Sequence, residues 1–252
     1  VLEGGVRLAV RGYGPEGGGP GPVLVFLHEG LGAITMWRSF PAALCGRAGL
    51  SGVAYDRRGH GRSSPRASPR GLDYLYRHAL DELPTLRAAL GLDDVVLVGH
   101  SDGATIALLH ASRFPVRAVV AIAGHVRVEA EAVDGIRAAC RAFRDGDLRS
   151  RLERHHGERV DEVFAAWSDT WLAPWFSRWD VRGELARVTC PVLALQGADD
   201  GYASPGHLDE LADCLGRPAE RWLVPGCGHA PHLEAGEEVL ARAAAFVRTV
   251  SG

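Results

Sequence analysis

A five-residue segment, Gly99-His100-Ser101-Asp102-Gly103, separates two apolar stretches of different character. Residues 95–98 (Val-Val-Leu-Val) have the composition of a buried strand, whereas residues 104–109 continue as an apolar helical stretch. Glycine on both sides of Ser101 permits a tight, strained turn that lifts the serine side chain above the edge of a sheet. The same turn places Ser101 at the amino end of the helix, where the helix dipole favours a developing negative charge. The segment therefore predicts a strand, a sharp turn with an exposed nucleophile, and a helix.

The rest of the chain alternates short β-rich runs with longer helical patterns, as is typical of a parallel sheet with helices on both faces. The expected inner strands are residues 23–27, 52–55, 95–98, 118–122, 192–195 and 222–224. An antiparallel peripheral strand is expected at 6–10, before a Gly/Pro-rich turn at 14–21. The expected helices are 37–47, 74–90, 103–113, 207–215 and 237–250. The predicted fold class is therefore α/β, with a mostly parallel, doubly wound sheet.

One interval breaks this alternation. About 65 residues between Gly124 and Val192 show no strand pattern, which is unusual for a connection in a compact domain. Helical patterns occupy residues 131–144, 147–156 and 161–179 of this interval. A helical insertion at the carboxyl ends of the strands lies where a lid would cover a ligand crevice. We therefore expect a lid at residues 125–185 and a core domain formed by residues 1–124 and 186–252.

A serine nucleophile requires a base that takes its proton and an acid that holds the base in one tautomer. His229 is the candidate base, because it lies in a glycine-rich loop between the last predicted strand and the last helix. Asp200 is the candidate acid, because it follows the strand that ends at Leu195. Parallel strands bring their carboxyl ends to one edge of the sheet, so Ser101, Asp200 and His229 are expected close together.

Four further segments carry a resemblance to a known family. They are residues 27–32 (Leu-His-Glu-Gly-Leu-Gly), 56–63 (Asp-Arg-Arg-Gly-His-Gly-Arg-Ser), 197–200 (Gly-Ala-Asp-Asp) and 228–229 (Gly-His). They are similar to the oxyanion loop, the D-x-R-G-x-G-x-S loop, the G-x-x-D acid and the G-H base of the α/β-hydrolase superfamily. With the order Ser101, Asp200, His229, they make the chain resemble the serine esterases and C–C hydrolases of that superfamily nearly from end to end.

The resemblance implies the α/β-hydrolase fold, with the lid inserted after the sixth strand of the family's sheet. It also implies that the oxyanion-hole amides belong to Gly30 and Asp102. The family's loop usually reads His-Gly, whereas this chain has Glu29 in place of that glycine, after His28. Leu31 is therefore the alternative donor if the loop is shifted by one residue. The acid could also be the neighbouring Asp199, although the G-x-x-D spacing favours Asp200.

The substrate pocket is the least constrained part of the site. Trp167, Trp171, Trp175 and Trp179 recur every four residues, as on one face of a helix that Pro174 should break or kink. We predict that Trp167 and Trp171 line an acyl pocket, the alternative being that these rings pack the lid onto the core. Asp102 is a further candidate for substrate binding, since it could attract a cationic group, the alternative being an ion pair with an arginine.

The expected function is hydrolysis of a carboxylic ester, or a related acyl bond, of a small molecule through an acyl-enzyme. The same three residues serve C–C bond hydrolysis of ring-cleavage products and thioester hydrolysis, and a ligand-binding module on this fold can retain them. No metal or organic cofactor is required. His229 and His232 lie three residues apart, but no carboxylate or cysteine cluster supports a metal site beside them.

The net charge limits the kinds of binding partner that are expected. A formal net charge of −3 gives no reason to expect nucleic acid or an anionic membrane, so the expected partner is a small-molecule ester or acyl substrate. We expect a monomer or a homodimer. Five scattered cysteines, no leader-like start and no run of membrane-spanning length favour a cytoplasmic location.

Overall fold

The computed structural model of the protein describes residues 5–14 and 21–252. Within these ranges a seven-stranded sheet is formed by β1 (Val10–Tyr13), β2 (Val23–Leu27), β3 (Gly52–Tyr55), β4 (Val95–His100), β5 (Ala118–Ile122), β6 (Val192–Gly197) and β7 (Glu220–Val224). The order across the sheet is β1-β3-β2-β4-β5-β6-β7, and all neighbours are parallel except β1 with β3. The predicted mostly parallel α/β sheet is confirmed.

Helices cover both faces of this sheet. They are α1 (Phe40–Ala48), α2 (Tyr74–Arg77), α3 (Leu83–Leu90), α4 (Asp102–Ala111), α5 (Ala130–Asp145), α6 (Leu148–His156), α7 (Val160–Trp171), α8 (Arg182–Leu185), α9 (Gly206–Asp213), α10 (Pro231–Glu234) and α11 (Gly236–Ser251). A π-helical turn, His78–Glu82, joins α2 to α3, so the helix predicted at 74–90 is continuous with one wide turn. The helix predicted at 37–47 begins at Phe40, after a short 3₁₀ turn at Ile34–Trp37.

The central strand β4 shows why the sheet is buried on both sides. Its side chains alternate between two apolar clusters: Val95 and Leu97 pack with α4, whereas Val96 and Val98 pack with α1 and α11. Every residue of β4 is buried. A strand with two apolar faces reads as a continuous hydrophobic run, which is the pattern from which it was predicted.

The peripheral strand lies later in the chain than predicted. The prediction at 6–10 is wrong in position, because the strand antiparallel to β3 is Val10–Tyr13. The amides of Arg7 and Ala9 instead bind the hydroxyl groups of Ser64 and Ser63, so this part of the chain is held by a loop and not by a sheet ladder. Most of the Gly/Pro-rich turn predicted at 14–21 lies outside the described residues.

The long interval without strands consists of α5, α6, α7 and α8, which we call the helical insertion. It follows β5, the fifth strand within the described residues, whereas the family resemblance placed the lid after a sixth strand. The helix predicted at 161–179 is wrong at its end: α7 stops at Trp171, and a separate 3₁₀ turn covers Phe176–Arg178. Pro174 lies between them and has no amide hydrogen to continue the helix. None of the helices in the described ranges combines the length and the apolar character needed to cross a membrane.

Candidate active site

Ser101 is the single residue between β4 and α4. Its backbone has φ 53° and ψ −119°, a strained conformation for a residue with a side chain. The flanking glycines are required by close backbone contacts. A Cβ on Gly99 would lie 2.3 Å from the carbonyl oxygen of Gly103, and a Cβ on Gly103 would lie 1.9 Å from that of Leu27. The predicted turn is therefore present, and its sharpness depends on both glycines.

His229 and Asp200 form an acid–base pair at this edge of the sheet. Nδ1 of His229 lies 2.9 Å from each carboxylate oxygen of Asp200, which also accepts the amide hydrogen of Tyr202 at 2.8 Å. Burial acts to raise the pKa of Asp200, but the hydrogen bonds from His229 and Tyr202 outweigh it and hold the pKa below the ordinary value. The carboxylate therefore stays ionised beside the ring and fixes a proton on Nδ1.

The loops that hold these two residues touch through their backbones. A Cβ on Gly197, at the end of β6, would lie 2.0 Å from the carbonyl oxygen of Gly228. The amide of Asp199 donates to the carbonyl of Cys227 at 2.8 Å, and the Asp199 side chain is exposed. Of the two adjacent carboxylates, it is thus Asp200 that faces His229, as the G-x-x-D spacing predicted.

Ser101 and His229 line one cavity of about 320 Å³. Much of its wall is apolar and comes from the helical insertion, including Ala132, Ile136, Leu152, Trp167 and Trp171. The two tryptophans predicted to line a pocket are therefore both at the cavity, whereas Trp175 is exposed and Trp179 packs against Phe176. Among the described residues, the Ser101 hydroxyl group makes no hydrogen bond.

Two backbone amides near Ser101 are free to bind a ligand oxygen. The amides of Gly30 and Asp102 have no acceptor among the described residues. The amide of Leu31, the alternative donor, is bound by Oε2 of Glu29 at 2.5 Å. A Cβ on Gly30 would lie 2.5 Å from Cδ1 of Trp167, so the loop after β2 lies directly against α7. Of the predicted donors, the amides of Gly30 and Asp102 are therefore unpaired among the described residues, whereas the amide of Leu31 is not.

The Asp102 side chain points into a buried polar network. Its Oδ2 accepts a hydrogen bond from the Tyr74 hydroxyl group at 3.1 Å and lies 3.8 Å from Nη1 of Arg57. Nε1 of Trp171 donates to the Tyr74 oxygen at 2.9 Å. Asp102 also borders the cavity. The structure therefore agrees with the alternative expectation for Asp102, an ion pair with an arginine.

Three histidines, His28, His60 and His100, brace the loops around the cavity. Nε2 of His28 accepts the amide of Arg57 at 3.0 Å, and the His60 ring lies 3.2 Å from the carbonyl of Gly30. The His100 ring lies 2.7 Å from the backbone carbonyl of His229. Burial lowers the pKa of all three histidines well below the ordinary value, so their rings are neutral.

His232 has an aromatic environment. The His232 ring is buried between Trp37 and Phe40, and its pKa is lowered to about 3, first by burial and then by the neighbouring His229. The ring therefore packs as a neutral aromatic group and faces no carboxylate ligand in the described part of the chain.

One group elsewhere has metal-ligand spacing within the described ranges: Glu129, His207 and Glu210. Arg127 and Arg182 both donate to Glu210, and Nδ1 of His207 lies 2.8 Å from Glu129. Because its carboxylates are already paired with arginines and a histidine, the group fits an ion-pair cluster at the start of the helical insertion.

Sequence reasoning did not assign Tyr202 and His125 to the site, and it noted Glu29 only as a departure from the family's loop. All three line the cavity, and the Tyr202 ring centroid lies 4.7 Å from that of His229. Burial, with His207 and His229 nearby, lowers the pKa of His125 to about 4. Tyr202 could have been suspected from its position two residues after Asp200, but no local pattern marks His125.

Comparison with known proteins agrees with this geometry. Residues 24–243 match the Alpha/beta hydrolase family. Over 127 residues, 49% of this chain, the sequence is 32% identical to 2-(acetamidomethylene)succinate hydrolase of Mesorhizobium japonicum, covering 43% of that protein. This chain spans less than half the length of the curated relatives it matches.

Solved structures show the same fold over nearly the whole chain. The enol-lactonase of Burkholderia xenovorans has a TM-score of 0.75 at 19% identity, with 97% of each chain covered. The proline iminopeptidase of Mycobacterium smegmatis also has a TM-score of 0.75, at 22% identity, with 98% of this chain and 96% of that chain covered. The sequence match, the sheet order and the turn at Ser101 together lead to one conclusion: this chain belongs to the alpha/beta hydrolase family.

Proposed function

We propose that the protein is a serine hydrolase that cleaves carboxylic esters of small molecules through an acyl-enzyme. The observation that carries the proposal is the double 2.9 Å contact between His229 Nδ1 and Asp200, in the same cavity wall as the strained Ser101. A carboxylate that fixes the proton on Nδ1 leaves Nε2 free to take a proton from a nucleophile. No metal or organic cofactor has a part in this chemistry.

In the first step, His229 removes the hydroxyl proton of Ser101 as the oxygen attacks the ester carbonyl carbon. The contact between such a serine and histidine commonly tightens when substrate binds. The negative charge that develops on the carbonyl oxygen is held by the amides of Gly30 and Asp102, each worth ~3–4 kcal/mol in comparable sites. His229 then protonates the leaving alcohol.

In the second step, His229 takes a proton from a water molecule as the water attacks the acyl-enzyme. His229 then gives this proton to the Ser101 oxygen, which releases the carboxylic acid and free Ser101. Asp200 stays ionised throughout and stabilises the imidazolium form of His229. Its lowered pKa supports this role, because a carboxylate that kept its charge only at high pH could not stabilise an imidazolium.

We propose that residues 125–185, which contain the helical insertion, act as a lid. The substrate enters between this lid and the sheet edge. The apolar wall and the volume of about 320 Å³ suit a short acyl chain or a small ring, with Trp167 and Trp171 against it. C–C bond and thioester hydrolysis use the same three residues. The type of bond that is cleaved must therefore be identified by turnover measurements.

The test is labelling of the purified chain with a fluorophosphonate, followed by peptide mass spectrometry. We expect a label on Ser101, its loss in Ser101→Ala, and retention in Ser150→Ala, which removes an exposed serine of α6. Steady turnover of activated short-chain esters, with Ser101→Ala inactive, would accompany the label. A folded protein that binds ligand but shows neither label nor turnover would overturn the proposal in favour of a binding module.

A further inference from the structure

Glu29 stands where the family's oxyanion loop usually has glycine, and its side chain lines the cavity together with Ser101 and His229. Oε2 of Glu29 accepts the amide hydrogen of Leu31. Oε1 accepts no hydrogen bond from any described residue. One carboxylate oxygen is therefore available to a molecule in the cavity.

The two carboxyl groups beside Ser101 differ in their counter-ions. Asp102 has Arg57 at 3.8 Å and a hydrogen bond from Tyr74. Glu29 forms no ion pair with any described arginine or histidine. Arg57 does approach the loop, but its Nη2 donates to the backbone carbonyl of Glu29 at 2.7 Å. Arg70, whose guanidinium lies over the Tyr74 ring, is a second buried cation near Asp102. Neither guanidinium group forms an ion pair with the Glu29 carboxylate, so Glu29 has no direct counter-ion among the described residues.

The other groups around Glu29 do not form an ion pair with it either. A smaller pocket of about 110 Å³ adjoins it and is lined by the imidazoles of His28, His100 and His232, which are neutral because burial lowers the pKa of each. His229, Arg57 and Asp102 also lie within electrostatic range of Glu29, but His229 is engaged by Asp200, and Arg57 and Asp102 are engaged with each other. Burial raises the pKa of Glu29 to about 7, as expected of a carboxylate without a cation.

We propose that Glu29 binds an ammonium group of the substrate, so that preferred esters carry a protonated amine close to the scissile carbonyl. The inference rests on the proposed function of Ser101. The sequence analysis named Asp102 as the residue that could attract a cationic substrate group. The inference assigns this role to Glu29 instead, because Asp102 already pairs with Arg57. A cation in the cavity would compensate Glu29 in the way that Arg57 compensates Asp102.

The test compares two esters of one shape, alanine phenyl ester and phenyl propionate, at about neutral pH, where most of the amine is protonated. We expect the ratio of kcat/KM for the amino ester to that for the neutral ester to fall about tenfold or more in Glu29→Gln. Glutamine keeps an acceptor for the Leu31 amide and removes only the charge. An ammonium group makes the ester more reactive even without Glu29. The ratio of kcat/KM measured in Glu29→Gln contains this intrinsic effect, so the wild-type ratio is compared with it.

Asp102→Asn is the matched control. Its side chain is engaged by Tyr74 and Arg57, so its loss of charge should change both esters by the same factor and leave the ratio within about twofold. If the ratio fell in Asp102→Asn and not in Glu29→Gln, the proposal would be overturned. An equal fall of both esters in Glu29→Gln would also overturn it, since Glu29 would then act on the His229 imidazolium or on the loop.

Inhibition of the wild type decides the matter if Glu29→Gln does not fold. Boronic acids form a tetrahedral adduct on a reactive serine, so 1-aminoethylboronic acid and ethylboronic acid differ there only in the ammonium group. We expect the amino compound to inhibit at least about tenfold more tightly. Equal inhibition with Ser101-dependent turnover of phenyl propionate would sink the inference alone, whereas no label and no turnover would sink the proposed function with it.

Discussion

The sheet edge and the helical insertion face the same cavity, but they shape it by different means. At the edge, Ser101, Asp200 and His229 follow the ends of three strands. The backbone around them is packed so closely that Gly103 and Gly197 have no room for a Cβ. The insertion instead presents side chains, packed through aromatic contacts such as the 5.7 Å centroid distance between Trp171 and Trp179. The comparison teaches that backbone packing fixes the positions of the candidate catalytic residues. The shape of the pocket depends instead on side chains, which can be replaced without changing the backbone.

The largest effect is expected at the edge, for Asp200→Asn. An asparagine cannot hold the Nδ1 proton or stabilise the imidazolium, so kcat for an activated ester should fall by ~10³–10⁴-fold with the fold retained. Steady-state kinetics and circular dichroism measure the two quantities. The control is Asp199→Asn, an exposed neighbour that should change kcat less than about twofold. Equal losses in the two variants would contradict the assignment of the acid.

The second prediction compares one glycine from each region. Gly103→Ala should lower the free energy of unfolding by about 3 kcal/mol or more, because its Cβ would meet the Leu27 carbonyl, which belongs to a neighbouring strand. Gly183→Ala in α8 has nothing within 4 Å of its Cβ and should be neutral or stabilising by up to ~1 kcal/mol. Chemical denaturation measures both. Similar losses of unfolding free energy in the two variants would contradict the view that backbone packing is tighter at the sheet edge than in the helical insertion.

The smallest effect is expected in the insertion, for Trp167→Phe. Loss of the pyrrole ring opens space beside Gly30, so esters with longer acyl chains should gain about tenfold in kcat/KM relative to acetate esters. Trp175→Phe, at an exposed position, serves as the control and should leave the ratio unchanged. A series of p-nitrophenyl esters of increasing chain length gives the measurement. An unchanged preference in Trp167→Phe would mean that the acyl chain lies elsewhere in the cavity.

Much of the edge could be predicted because its signals are local. The turn at Ser101 needs glycine at two fixed positions, and the strands before Ser101 and Asp200 are apolar runs that only a doubly covered sheet accommodates. The peripheral strand was placed too early, because the amides of residues 7 and 9 bind serines 54 or more positions away. The end of α7 was placed too late, although Pro174 marked the break.

What the sequence by itself determined is therefore the fold class and the order of the three residues at the sheet edge, since both follow from backbone requirements that neighbours in the chain impose. The tertiary structure alone decided which carboxyl group is paired and which tryptophans face the cavity. The partners of Asp102 are Tyr74 and Arg57, which lie far from it in sequence. Glu29 forms no ion pair with a described residue, although Arg57 binds its backbone carbonyl. Charge balance and pocket shape depend on such distant contacts, which no local pattern records.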